Sequence, residues 1–158
     1  MIELSLPYPP SANRYWETRI IKAKATGRMM ALTYVSREAK EFKETVGWLA
    51  RAAGVRSPIP GRVAVSYRLH PHRPQDWQRR LKRDPEGWED TVQCIDLDNA
   101  QKVTLDALKG IVIVDDGWVW SSTAMRGEPV EGGKIVVRIA PARPQVRSVP
   151  PQAVLELV

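Results

Sequence analysis

The chain has 158 residues, a net charge of +6, a pI near 9.7 and one cysteine, Cys94. A single domain of this length buries a core without covalent staples, and one cysteine excludes both an internal disulfide framework and a multi-cysteine zinc site. No apolar run approaches the length of a bilayer span, and the opening MIELSLPYPP lacks the basic start and apolar centre of a secretory leader, so a cytoplasmic location is expected.

Residues 2–6 alternate apolar and polar and predict a short strand. Tyr8 to Asn13 contains adjacent prolines that cannot continue a ladder, and reads as loop. From Arg14 to Arg28 the chain is basic and glycine-punctuated, an exposed loop or ribbon. Its Lys22 and Lys24 suit a DNA backbone, with an ordinary solvated surface as the competing reading.

Ser36 is a good N-cap for a helix in which Ala39, Phe42, Val46, Leu49 and Ala53 recur at three- and four-residue steps. Gly54 is placed to end it. Residues 62–69 put Val63, Val65, Tyr67 and Leu69 on one face of a strand. A polar excursion over 70–92 follows, whose Arg73, Arg79, Arg80, Lys82 and Arg83, with Trp77 among them, suit phosphates and a stacked base. His70 and His72 have zinc-like spacing, but the chain has no further histidine and no cysteine nearby, so both read as surface polar residues.

A second helix is predicted from Asn99 to Lys109, capped by Asp98, with Gln101 where a capping box wants Glu or Gln. Ala100, Val103, Leu105, Ala107, Leu108 and Ile111 share an apolar arc; Lys102, Asp106 and Lys109 lie opposite, and Gly110 stops the helix. Trp118–Met125 and Lys134–Ile139 read as strands joined by RGEPVEGG into a hairpin. Trp118 and Trp120, alternating on one strand face, are expected in the core or a dimer interface. The fold class is α+β: a single domain in β-α-β-α-β-β order around one small mixed or antiparallel sheet.

Charge is unevenly spread along this framework. Residues 1–83 hold 17 Lys/Arg against 6 Asp/Glu, whereas residues 84–116 hold 2 against 9. Basic surface attracts a polyanion by neutralising phosphates, yet clustered acids repel it unless a cation sits among them. Within the acidic stretch, Asp96 and Asp98 are two residues apart at a helix entrance, and i and i+2 of an extended segment project to one side. Carboxylates brought so close oppose each other's ionisation. A hard divalent ion relieves the conflict, and oxygen ligands suit Mg2+, with Mn2+ as the alternative. Asp115-Asp116 supplies a third carboxylate after the helix, and Lys102 stands one turn inside it, able to stabilise a phosphate under attack. Each member also has an ordinary reading. Asp98 caps a helix, Lys102 pairs with Asp106, and Asp-Asp-Gly makes a turn.

The run Asp96-Leu97-Asp98-Asn99-Ala100-Gln101-Lys102, then Leu105-Asp106-Ala107-Leu108, then Asp115-Asp116, resembles the core signature of the RusA family of Holliday junction resolvases. Leu6 to Tyr15 and Tyr34-Val35-Ser36 agree with the same family, so four blocks in order cover residues 1 to about 140. The resemblance implies a homodimeric, Mg2+-dependent endodeoxyribonuclease, often prophage-encoded, that nicks four-way junctions symmetrically. It implies metal-binding aspartates at Asp96, Asp98 and Asp116, with Asp115 as the neighbour able to exchange roles, and a catalytic lysine at Lys102. It also implies supporting or DNA-contacting roles for Asn13 and Arg14. The excursion over 70–92 is longer than the family's short basic loop, and the Pro-rich tail over 141–158 is additional to a domain over 1–140. A metal-dependent nuclease on other branched DNA, and a non-catalytic branched-DNA-binding protein, are the alternatives.

Overall fold

The structure, a computed structural model, describes residues 1–143. Its elements run β1 (Ile2–Pro7), β2 (Trp16–Lys22), β3 (Met29–Val35), α1 (Arg37–Ala52), β4 (Val63–His70), α2 (Trp77–Arg83), α3 (Leu97–Leu108), β5 (Val119–Arg126) and β6 (Lys134–Pro141). Short 3-10 turns fall at Ala12–Arg14, Trp88–Thr91 and Asp116–Trp118. Strands β1, β6, β4 and β5 form one mixed sheet in that order, and β2 and β3 form a separate two-stranded sheet.

Alternation decides the layering. In β4, Val63, Val65, Tyr67 and Leu69 point to one face and are buried, as are Leu4 and Leu6 of β1 and Ile135, Val137 and Ile139 of β6. Helices α1 and α3 cover that face with Ala39, Phe42, Val46 and Ala50, and with Ala100, Val103, Ala107 and Leu108. Each fully buried Val, Leu or Ile side chain among these contributes roughly 1.5–3 kcal/mol. The opposite face carries Glu3, Ser66, Arg68 and Arg138, with Glu3 and Arg138 paired across β1 and β6. The domain is thus α+β with both long helices on one side, the class the sequence predicts.

Helix α1 begins as expected. Ser36 holds extended backbone, and its Oγ accepts the Ala39 N–H at 3.2 Å. Gly54 follows the helix at φ +89°, a conformation that favours glycine. Ala50, rather than Ala53, completes the buried face, because the helix ends at Ala52.

Four expectations are corrected. Strands β5 and β6 do not form a hairpin: β5 pairs parallel to β4 and β6 antiparallel to β4, so β4 lies between them. Strand β4 has the fullest apolar inner face and takes an interior place, leaving the largely exposed β5 at the edge. The basic stretch from Arg14 becomes a ribbon, one of its two expected forms, but its second strand, Met29–Val35, lies beyond the expected bounds, since MMALTYV does not alternate. The 70–92 excursion holds α2 and a 3-10 turn, and its first residue, His70, is buried rather than on the surface. The His70 Nδ1 lies 2.9 Å from the Glu128 carbonyl oxygen, against Gly127, where a Cβ would come within 2.5 Å of the ring. Finally, of the two places expected for Trp118 and Trp120 the core is excluded: they are 44% and 60% exposed, and the Arg62 guanidinium stacks 3.6 Å over the Trp120 ring. Of the Pro-rich tail over 141–158, Pro141 closes β6, and residues 144–158 lie outside the described residues.

Candidate metal and active site

The entrance to α3 differs by two residues from the sequence expectation. Asp96 keeps extended backbone (φ −64°, ψ 142°) and Leu97 is the first helical residue, so Asp96 occupies the cap position and Asp98 falls in the first turn. The Asp96 side chain makes no capping hydrogen bond, so its carboxylate is not consumed by the helix backbone. Asp98 gains from the positive end of the helix dipole. Both are exposed. Gln101 closes no capping box; its Nε2 donates to Ser122 Oγ at 3.4 Å and ties α3 to β5.

Lys102 pairs with Asp98, not with Asp106: Nζ lies 3.8 Å from Asp98 Oδ2. Asp106, expected on the polar arc, is instead half-buried and held by the Tyr15 hydroxyl and by Lys43 Nζ at 3.0 Å. This leaves Lys102, 72% exposed in its side chain, facing outward beside the acid pair.

Upstream, a second residue that the sequence did not disclose fixes the approach to Asp96. The Tyr8 hydroxyl accepts the Ile95 N–H at 3.0 Å and donates to Cys94 Sγ at 3.8 Å. Burial pushes the Tyr8 phenol up, against the opposing pull of the Ile95 hydrogen bond. Cys94 is therefore a half-buried packing and hydrogen-bonding group. Contacts such as Tyr8–Ile95 and Tyr15–Asp106 join residues about 90 apart, a separation at which one sequence carries no pairing signal.

Asp116 lies at the other end of α3. Lys109 ends the helix, Gly110 turns the chain at φ +74°, and Asp115 begins the next 3-10 turn. Asp115 Oδ1 accepts the Gly117 N–H at 3.1 Å, and its Oδ2 lies 3.2 Å from Lys109 Nζ. The Gly117 N–H, with Asp116 and Lys109 beside it, pulls the Asp115 carboxyl down to about 2. Asp116 has the looser contact, Oδ1 to Lys109 Nζ at 3.5 Å. Asp115 is thus the turn-maker and Asp116 the freer acid.

The structure therefore brings Asp98 and Lys102 together, with Asp96 two residues before them, and sets Asp116 apart. Among the described residues, no three Asp, Glu, His or Cys side chains are grouped to hold a metal ion. The Asp96–Asp98 pair still fits Mg2+ in kind: two exposed carboxylates, no soft ligand, and room for the waters and phosphate oxygens this ion retains.

The residues expected to touch DNA divide into three groups. Asn13 and Arg14 are exposed on a 3-10 turn that packs on α3. The adjoining cleft, of about 220 Å³, is lined by Ala12, Tyr15, Trp16, Lys102, Val103 and Asp106. Lys22 and Lys24 stand exposed at the tip of the ribbon. Arg73, Arg79 and Arg80 are more committed. The Arg73 guanidinium lies 4.7 Å over the Trp77 ring, and Arg79 and Arg80 each hold Asp76 at 2.9 Å. Arg80 also donates to the Thr91 carbonyl at 3.0 Å, clamping α2 to the following turn. Arg73 and Arg80 border a cleft of about 690 Å³ that ends at Cys94 and Ile95, directly before Asp96.

No helix among the described residues is long and apolar enough to cross a membrane. No curated protein matches the chain. A family model described as Endodeoxyribonuclease RusA matches residues 7–140.

Proposed function

The chain belongs to the RusA endodeoxyribonuclease family, and on that premise we propose that it is a Mg2+-dependent endonuclease that resolves Holliday junctions by paired symmetric nicks in DNA recombination and repair. The observation that carries this reading is the exposed Asp96–Asp98 pair at the start of α3, with Lys102 Nζ 3.8 Å from Asp98. Residues 1–140 are the endonuclease domain in this reading.

Asp96 and Asp98 would hold the divalent ion. When bound, it would supply Lewis acidity to the scissile phosphate and acidify a water. Lys102 contributes a fixed positive charge where the attacked phosphate gains negative charge. Asn13 and Arg14, on the turn beside Lys102, hold a neighbouring phosphate and so fix the register of the strand. Tyr8 is a positioning residue: its hydroxyl anchors the backbone one residue before Asp96.

Asp116 is the proposed third ligand. Asp115 is occupied by Gly117 and Lys109, which favours Asp116 of the two. Within one chain Asp116 is not grouped with the pair, and in this reading a centre using all three acids takes Asp96 and Asp98 from one copy and Asp116 from another. That is a reason for a homodimer, independent of the near-twofold symmetry of a four-way junction.

The test compares cleavage of a four-way junction, a fork and a linear duplex in Mg2+, Mn2+ and EDTA. We expect metal-dependent paired nicks on the junction, and a loss of at least about 100-fold in Asp98→Asn with junction binding retained. Equal cutting of fork and junction would make it a nuclease on other branched DNA. Full activity in Asp98→Asn would remove the site assignment.

A further inference from the structure

Strands β2 and β3 stand apart from the main sheet, joined over seven register pairs from Trp16↔Val35 to Lys22↔Met29. Every residue of β2 and the first five of β3 are exposed. A two-stranded ribbon is marginal by itself in water, and this one bares large apolar groups. By register, Trp16, Ile20 and Met29 share one face, and Ile21, Met30 and Leu32 the other. Near the tip, Ile20 and Met29 are 68% and 66% exposed. The same surface is cationic: Arg19, Lys22, Lys24 and Arg28 stand against the single acid Glu17 between Trp16 and Val35.

The interleaving selects the occupant. Lys22 lies on the face of Ile20 and Met29, and Arg19 on that of Ile21 and Met30. Lysine is depleted at the cores of protein–protein interfaces, so the face that sets Lys22 beside Ile20 and Met29 suits a polyanion better than a second copy of this chain. A polyanion with stacked bases suits both kinds of group. Cations meet phosphates, a two-stranded ribbon fits the major groove, and Ile and Met side chains act as wedges between base steps. The ribbon also rises from the candidate site, because Trp16 at its base lines the same cleft as Lys102.

We propose that the β2–β3 ribbon is a DNA-entering arm: Lys22, Lys24 and Arg28 grip phosphates while Ile20 and Met29 unstack the base pairs at the branch point. This rests on the branched-DNA nuclease reading given above. Seven strand residues at about 3.3 Å each reach roughly 23 Å, so the arm would span the several base pairs between a phosphate at Lys102 and the branch.

The test uses the full chain on a four-way junction carrying 2-aminopurine next to the crossover, in EDTA so that no strand is cut. Wild-type binding should raise 2-aminopurine fluorescence several-fold. Ile20→Ser/Met29→Ser, altered only at exposed positions, should bind within about threefold of wild type yet leave the probe dark. Lys22→Ala/Lys24→Ala should weaken binding and flatten its salt dependence by about two phosphate contacts. A bright probe with the serine variant overturns the wedge, and so does a serine variant that becomes monomeric while wild type is dimeric. Wild type that cuts junctions but never brightens the probe also overturns it, leaving the nuclease reading intact. Wild type that neither binds nor cuts junctions removes both.

Discussion

Asp115 and Asp116 are chemically identical neighbours that the turn makes unequal. Asp115 spends one oxygen on the Gly117 N–H and the other on Lys109, which holds its carboxyl down to about 2. Asp116 meets Lys109 only at 3.5 Å. Asp116→Asn should therefore abolish junction cleavage, while Asp115→Asn keeps it within about tenfold, the loss reflecting a loosened turn. Comparable inactivity in both, measured in single-turnover cleavage, would contradict this division. Tyr8 permits a second test at the same scale. Tyr8→Phe keeps the ring but loses the acceptor for Ile95 N–H, so the cleavage rate should fall about tenfold with junction affinity unchanged. An unaltered rate would show that the anchor does not position Asp96. The Asp96-x-Asp98 pair and Lys102 are legible in sequence because they are local in the chain. Tyr8, Tyr15 and Lys43 are not, because each meets its partner on a distant element.

Elements with clean periodicity are the ones the sequence predicts well. β1, β4 and α1 sit where alternation or helical spacing places them. The α3 entrance slips by two residues because Asp96 and Asp98 are both acceptable caps, and only the backbone at Leu97 separates them. The β5–β6 hairpin fails for a different reason: chain proximity favours it, but the buried face of β4 needs neighbours on both sides. Helix α2 was hidden by polarity, since it has no buried residue of its own and its Trp77 packs with Arg73 and Trp88 rather than in an apolar stripe. Its start depends on Asp76, whose carboxyl is held low first by the Arg79 hydrogen bond and then by Arg80. A depressed carboxyl contributes stability that is present above its unfolded value, near 3.9, and is lost as pH falls through its folded one. Amide exchange in α2, corrected for the intrinsic pH effect, should therefore accelerate only below about pH 4. Asp76→Asn should show fast exchange already at neutral pH; a protected α2 in that variant would exclude the clamp.

At the scale of the molecule, the proposed three-acid centre is completed by a second copy of the chain. Asp96 and Asp98 open α3, Asp116 follows it and meets Lys109, and no three such acids are grouped among the described residues. The Asn13–Arg14 turn packs on α3, and Trp16 at the base of the basic ribbon lines one cleft with Lys102, so basic segments from far upstream adjoin the helix that carries the acid pair. The most direct measurement is therefore made on a heterodimer of Asp98→Asn and Asp116→Asn, co-expressed with two tags and purified as the mixed species. If the acids are shared between copies, one site carries both substitutions and the other carries none. Two singly inactive variants should then recover about half of the wild-type nicking, as single nicks without paired resolution. If each site uses the three acids of one chain, both sites carry one substitution. A mixed dimer that binds junctions and produces no nicks would contradict the account.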